Sequence, residues 1–282
     1  MEVNKSIFRE NDIRGIYPEQ LNEFTIGEIG KAIAIKCKKE NIGSISVGRD
    51  GRLSGESLLS SFCDSLINSG INVTNIGMVT SPMLYFEAKT NKTKSGIIIT
   101  GSHNPKNHNG LKMVVNDRPV SGIEILSLIE NMESEPSSKG ELRNKDIKEE
   151  YLDEVVNSIS IRNPSNYKVV IDCGNGAAGC VAPDLFKRVG CEVVELFTEV
   201  DGNFPNHHPD PSKLENLQDL IDIYVKAKRP DEMLSRVYWG STKVYLKGNI
   251  IGRASSICWS PTLNKTIAFC FVKREVIEIG DN

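Results

Sequence analysis

Gly96-Ile97-Ile98-Ile99-Thr100-Gly101-Ser102-His103-Asn104-Pro105 decides how this chain is read. Three consecutive isoleucines behind a glycine suit a strand buried on both faces of a sheet, as in layered α/β domains. The run gives way to glycine, serine, asparagine and proline, so the strand empties into a tight polar loop. In open α/β sheets, ligands collect beyond the carboxyl ends of strands, which is where Ser102 emerges. Upstream, residues 44–47 read as a strand and Gly48-Arg49-Asp50-Gly51-Arg52 as a turn. Leu58, Leu59, Phe62, Leu66 and Ile67 then follow at helical spacing, with Gly70 placed as a helix stop. A second unit repeats the pattern, with a strand at 71–76 and a helix at 82–89 opened by Pro82. Such alternation predicts a largely parallel sheet.

Residues 133–146 are polar and centre on Glu135-Pro136-Ser137-Ser138-Lys139-Gly140, which marks a domain linker. A new α/β module follows: a helix at 147–160, a strand at 168–171, the turn Asp172-Cys173-Gly174-Asn175-Gly176, a helix at 183–189 and a strand at 192–196. The loop Asp201-Gly202-Asn203-Phe204-Pro205-Asn206-His207-His208-Pro209-Asp210-Pro211 leads into a helix from Leu214. Past about Arg229 the helical signals stop. Residues 243–279 read as successive β-runs, with a hairpin turn at Lys247-Gly248-Asn249 and an apolar strand at 267–272. The expected fold class is therefore α/β, layered mixed sheets with helices, followed by a small β-rich C-terminal segment. Three domains are expected: 1–135, 147–229 and 232–282.

The 282 residues suffice for about two ordinary domains with their own cores. Lys and Arg number 34 against 37 Asp and Glu, for a formal charge of −3, and basic residues are dispersed rather than clustered. That argues against a nucleic-acid partner. A 39% hydrophobic and 25% charged composition is that of a globular protein rather than a disordered one. No apolar run approaches the ~20 residues that span a bilayer, and the start Met1-Glu2-Val3-Asn4-Lys5 lacks the pattern of a secretory signal, so a cytoplasmic protein without a membrane partner is expected. The seven cysteines (Cys37, Cys63, Cys173, Cys180, Cys191, Cys258 and Cys270) are odd in number and contain no CxxC, so they read as reduced packing residues.

A hydroxyl at a strand's carboxyl end can carry a covalent group if the loop is shaped for it and a cation neutralises the charge. Ser102 with Lys112, in Asn109-Gly110-Leu111-Lys112, fits that description. The same residues also read as two turns with a helix-capping serine. Phe8-Arg9-Glu10-Asn11-Asp12-Ile13-Arg14-Gly15 and Gly48-Arg49-Asp50-Gly51-Arg52 each hold arginines in glycine-bounded loops, as phosphate recognition requires. An Asp-Arg pair in such a loop equally reads as a structural ion pair. His207-His208 is read as part of a structural loop rather than a metal site. Gly174-Asn175-Gly176 is not GxGxxG and reads as a tight turn entering a helix.

Taken in order, FREnDIRG (8–15), GRDGR (48–52), TGSHNPKNHNGLK (100–112), VVIDCGNGAAG (169–179) and DGNFPNHHPDP (201–211) resemble the α-D-phosphohexomutases, the phosphoglucomutase and phosphomannomutase family. The resemblance covers roughly the first 220 residues. It implies an isomerase that moves a phosphoryl group between the 1- and 6-positions of a hexose through a phosphoserine and a hexose 1,6-bisphosphate. Ser102 would be the phosphoserine, and it would also bind Mg2+ through its phosphate. Arg14 and Lys112 would assist proton movement and stabilise charge, His103 would support the serine loop, and Arg49, Arg52 and Asn104 would support the phosphate loop. The partners implied are hexose phosphates and the bisphosphate.

Departures matter as much. Asn11 stands where family members commonly carry tyrosine, and the acidic DGDGDR-type loop whose aspartates bind magnesium does not follow Lys226-Ala227-Lys228-Arg229-Pro230-Asp231. Instead, Gly252-Arg253-Ala254-Ser255-Ser256 and Trp259-Ser260-Pro261-Thr262-Leu263-Asn264-Lys265-Thr266-Ile267-Ala268 resemble the C-terminal barrel domain of the folate-dependent aminomethyltransferases. The expectation is therefore an impaired mutase, with association through an exposed, truncated second domain. A non-catalytic sugar-phosphate or partner-binding module, and an inactive chimeric fragment, are the alternatives.

Overall fold

The computed structural model of the chain describes residues 2–132, 138–226, 242–246, 249–260 and 265–272. In chain order the first unit, Met1–Pro211, contains β1 (Ile13–Ile16), α1 (Glu23–Lys39), β2 (Ser44–Arg49), α2 (Gly55–Asn68), β3 (Asn72–Met78), α3 (Ser81–Thr90), β4 (Gly96–Ile99), β5 (His108–Val115), β6 (Arg118–Pro119), α4 (Gly122–Glu130), β7 (Leu142–Asn144), α5 (Lys148–Ser158), β8 (Lys168–Asp172), α6 (Ala182–Val189) and β9 (Glu192–Leu196). The second unit, Ser212–Asn282, contains α7 (Gln218–Lys226) and an antiparallel sheet of β10 (Thr242–Leu246), β11 (Asn249–Ser260) and β12 (Lys265–Val272). The centre of the expected linker (133–137), the junction at 227–241 and Lys247-Gly248 of the expected hairpin turn lie outside the described residues.

A seven-stranded mixed sheet runs in the order β1-β5-β4-β2-β3-β7, with β6 on β5. Strands β4, β2, β3 and β7 are parallel, while β1, β5 and β6 run antiparallel to their neighbours. The isoleucine run on β4 is buried on both faces as its sequence demands. Ile97 and Ile99 join one core with Ile29, Ile33, Leu58, Phe62 and Leu66 from α1 and α2. Ile98 points into the other, with Ile76, Met83, Leu84 and Leu152. Each fully buried isoleucine contributes about 1.5–3 kcal/mol, which fixes the strand whose end carries Ser102.

The helices begin and end where local chemistry dictates. The Asn22 side chain accepts from the Thr25 N–H at the start of α1, with Glu23 in the first turn and Lys36, Lys38 and Lys39 in the last, as the helix dipole favours. Thr80 caps α3 ahead of Pro82, and Ser121 caps α4. Gly70 after α2 adopts φ +85°, a left-handed conformation that glycine takes without strain.

Part of the stretch expected as linker is instead structural: β7 extends the sheet in parallel beside β3. All three of its residues are exposed, so the strand is held by backbone pairing and leaves no hydrophobic pattern in the sequence. The following module places β8 parallel to β9, with α6 between them in the chain. Gly174 (φ +49°) and Asn175 (φ +57°) form the expected tight turn after β8.

Candidate active site

The register of the central sheet assembles the site. β2 pairs with β4 so that Arg49 lies opposite Ile99, which brings Asp50 and Thr100, the next residues on each strand, side by side. Thr100 Oγ1 donates to Asp50 Oδ2 at 2.7 Å, and the Gly101 N–H donates to the same oxygen at 3.1 Å. Asp50 Oδ1 accepts the Arg52 N–H at 3.0 Å. The carboxylate thus ties the two loops together.

Arg52 completes the union. Only 2% exposed, it sends Nη1 to the carbonyls of Pro105 (2.5 Å) and His108 (3.0 Å), and Nη2 to those of Ser102 (3.0 Å) and Asn104 (2.6 Å). Its Nε lies 3.3 Å from Asp50 Oδ2 as an ion pair, without hydrogen-bond alignment. Burial pushes the guanidinium pKa down, opposed by Asp50, with the Arg14 charge adding to the downward shift. A buried arginine beside a carboxylate stays charged because its unperturbed pKa is above 12. Gly101 is required by this packing, since a Cβ there would lie 2.3 Å from Arg52 Nε and 2.4 Å from Cζ.

Ser102 sits in this cradle with φ +53°, a left-handed conformation that is uncommon outside glycine. Its N–H donates to Thr100 Oγ1 at 2.9 Å, and its hydroxyl makes no hydrogen bond with another described residue. Across β5 and β1, where Gly110 opposes Arg14, Arg14 pairs with Asp12 (Nε to Oδ2, 2.6 Å) and donates through Nη1 to Asn104 Oδ1 at 3.2 Å. A Cβ at Gly110 would lie 2.0 Å from the Ile13 carbonyl, so the two strands meet only over glycine. The structure therefore brings together Ser102, Asn104, Arg14 and Arg52.

The other candidates are placed less directly. Lys112 is half-buried on β5, opposite Ile98, and makes no hydrogen bond or ion pair with another described residue. Arg49 donates to the Asp50 carbonyl (2.9 Å) and pairs with Glu56 on α2 (2.7 Å), while the Asp-Arg ion pair within this loop is that of Asp50 with Arg52. His103 is exposed and its ring makes no hydrogen bond with a described residue. Arg52, also expected to support the loop, contacts four of its carbonyls, since a guanidinium offers several donors in one plane. His108, in the same loop, has its pKa lowered by burial and by the charges of Arg52 and Arg9.

Three contributors were not singled out from sequence: Asp50, Thr100 and Phe204. Asp50 was visible inside GRDGR, and the Asx-type bond to the Arg52 N–H is the signal that could have found it. Phe204 lies with its ring centroid 5.3 Å from Arg52 Cζ. His207 sets Nε2 3.0 Å from Asp172 Oδ1 and Nδ1 3.0 Å from the His208 carbonyl, an arrangement that anchors its loop to the end of β8.

The donors around Ser102 do not suit a protein-built magnesium site. The neighbouring carboxylates, Asp12 and Asp50, are engaged by Arg14 and by Arg52, Thr100 and Gly101. Among the described residues there is no group of three or more His, Cys, Asp or Glu side chains that could hold a metal ion. Hard cations need several free oxygen ligands, which these paired carboxylates do not offer.

Comparison with known proteins places the chain. Residues 5–137 match the family described as phosphoglucomutase/phosphomannomutase, alpha/beta/alpha domain I, and residues 149–235 match its domain II. Residues 225–282 match the glycine cleavage T-protein C-terminal barrel domain, and the overlap at 225–235 falls where the sequence changes character. The phosphomannomutase/phosphoglucomutase of Pseudomonas syringae pv. tomato is 46% identical over 218 residues, covering 77% of this chain and 46% of that protein. The phosphoglucomutase of Neisseria gonorrhoeae is 47% identical over 223 residues, covering 78% and 48% respectively. A crystal structure of a Burkholderia thailandensis phosphoglucomutase/phosphomannomutase family protein aligns with TM-score 0.76 at 39% identity, covering 80% of this chain and 51% of that one. The chain spans about half the length of the curated relatives it matches. No helix among the described residues is long and apolar enough to cross a membrane.

Proposed function

We propose, from the premise that this chain belongs to the phosphoglucomutase/phosphomannomutase family through residues 5–235, that Ser102 accepts and returns a phosphoryl group in the interconversion of hexose 1- and 6-phosphates. The observation that carries this reading is the Ser102 loop itself: a serine in a left-handed conformation, its hydroxyl unengaged among the described residues, held by four loop carbonyls on one buried arginine. Such rigidity is what phosphoryl transfer needs, because the reaction depends on positioning and charge stabilisation.

In the step proposed, Ser102 Oγ attacks a phosphorus of hexose 1,6-bisphosphate. The new O–P bond forms as the bond from phosphorus to the sugar oxygen breaks, and the serine proton ends on that sugar oxygen. Phosphoserine and a hexose monophosphate result. The reverse step, with the monophosphate presenting its other hydroxyl, completes the exchange. Arg14, held by Asp12 and docked on Asn104, is one cation for the transferring group, and Lys112 on β5 is a second. The family is generally metal-dependent, but the paired carboxylates here do not fit that metal, and no step is assigned to it.

The test is incubation of the full chain with glucose 1,6-bisphosphate, with Ser102 phosphate read by intact mass and peptide mapping. One phosphate on Ser102, absent from Ser102→Ala, supports the proposal. No adduct on the wild-type chain refutes it. A second reading, a binder of sugar phosphates without turnover, is favoured by the paired state of Asp12 and Asp50. Saturable glucose 6-phosphate binding by calorimetry with no adduct would select it. The cytoplasmic location belongs to the same proposal.

A further inference from the structure

We infer that Phe204 is a positioning residue for the Ser102 loop, acting through the Arg52 guanidinium it covers; the inference rests on the proposed role of Ser102. Arg52 reaches the loop with four donor contacts, so any tilt of its plane shifts Ser102, Asn104, Pro105 and His108 together. Gly101 limits that plane, since no Cβ fits against Nε and Cζ. Phe204 limits it again, with its ring 5.3 Å from Cζ. An aromatic ring holds a buried cation without offering a competing acceptor, so the N–H groups stay directed at the carbonyls.

The backbone at Phe204 indicates that this placement is imposed. Its φ is +51°, a genuine outlier for a bulky side chain, and such outliers persist only where surrounding contacts dictate them. Those contacts are present. The Phe204 N–H donates to the Asp201 carbonyl, and the Asp201 N–H to that of Asn175, both at 3.0 Å. Asn175 Nδ2 donates to the Glu199 carbonyl at 2.9 Å, and Asn206 Nδ2 to Asn175 Oδ1 at 2.7 Å. Gly202 is pressed onto the arginine's own turn, where a Cβ would lie 2.6 Å from Leu53 N and 2.8 Å from the Gly51 carbonyl. The turn after β8 thus sets the 201–206 loop, the loop sets Phe204, and Phe204 sets Arg52. By this route the second α/β module determines the geometry of a serine carried by the first.

The experiment compares full-length wild type, Phe204→Leu and Phe204→Tyr. In wild type, an NOE between the Phe204 ring and Arg52 Hε is required, and its absence overturns the inference whether or not the variants fold. Phe204→Leu is expected to speed amide exchange at Ser102 and Asn104. It should also slow Ser102 phosphorylation by glucose 1,6-bisphosphate about tenfold or more, with the half-saturating concentration unchanged, as loss of alignment rather than of binding predicts. Phe204→Tyr, which keeps the ring, should restore both. Wild-type behaviour of Phe204→Leu, or equal impairment of Phe204→Tyr, refutes the positioning role. If wild type takes up no phosphate, the Ser102 proposal fails, while the exchange and NOE measurements still decide the role of Phe204.

Discussion

Replacing Arg52 by methionine tests whether one buried cation holds the candidate site together. Methionine keeps much of the side-chain length and apolar volume but removes every donor. Four charge-assisted hydrogen bonds at about 1.5–3 kcal/mol each would overstate the loss, because the variant is also relieved of burying a guanidinium. The better reference is removal of one member of a buried ion pair, which costs about 3–5 kcal/mol. Asp50 retains Thr100 Oγ1, the Gly101 N–H and the residue 52 N–H, so the lower end, about 3 kcal/mol, is expected. Domains are stable by about 5–15 kcal/mol, so the variant should still fold. With a urea dependence of about 1–3 kcal/mol per molar, the unfolding midpoint followed by circular dichroism should fall by roughly 1–3 M. Amide exchange should accelerate first at residues 101–108. A midpoint shift below about 0.3 M, or exchange unchanged in that loop, would show that the four carbonyls are held by something other than Arg52.

Gly101→Ala should displace Arg52, because its Cβ would fall 2.3 Å from Nε; a loss of about 1–3 kcal/mol in urea melts together with slower Ser102 phosphorylation is expected, and a neutral variant would contradict the packing. Burial pushes the Cys37 and Cys63 thiols up to about 12, so at pH 8 each is thiolate only about once in 10⁴ molecules. Both should resist disulfide reagents in the native chain, react faster as pH rises, and label fully in denaturant; rapid native labelling at pH 8 would refute their burial. Lys145→Ala should destabilise the first unit by about 1–3 kcal/mol, because Glu87, 2% exposed, then keeps only Ser46 Oγ as a side-chain partner among the described residues; an unchanged melting midpoint would argue against that pairing. Magnesium chloride alone should leave the thermal midpoint unchanged, whereas glucose 1,6-bisphosphate at a hundredfold excess over its Kd should add about 2.7 kcal/mol, read by scanning calorimetry.

What could be read from the sequence was what leaves a pattern in side-chain polarity. Ile97, Ile98 and Ile99 announced a strand buried on both faces, and the helical spacing from Leu58 to Ile67 announced α2, because burial selects apolar residues at fixed intervals. Strand β7 was missed for the converse reason, since Leu142, Arg143 and Asn144 are all exposed and only backbone pairing holds them. Ser102 stood out through its glycine, asparagine and proline neighbours. Arg52 was expected to support the phosphate loop, but its burial was not legible, because arginine in a loop is ordinarily solvent-exposed. Its partners at 102–108 lie about fifty residues away and are backbone carbonyls, which any sequence could supply. Phe204 was hidden in the same way, since an aromatic residue in a proline-rich loop carries no sign of which cation it will meet.

The balance of charge around Ser102 determines which ligand the assembled loops favour. Among the described residues, Asp12, Asp50 and Glu56 are carboxylates in contact with these loops, and each is paired with an arginine. Arg14 is less than a fifth exposed, Arg52 is buried, and burial lowers the pKa of His108, with the charges of Arg52 and Arg9 adding to the shift. A neutral His108 adds no further repulsion to its cationic neighbours. With those arginines paired, Lys112 and Arg9, which make no ion pair with a described residue, are cations left to favour an anion. On the role proposed for Ser102, that charge would favour a sugar phosphate over a divalent cation arriving alone, which is why magnesium chloride without the sugar phosphate should leave the chain unchanged.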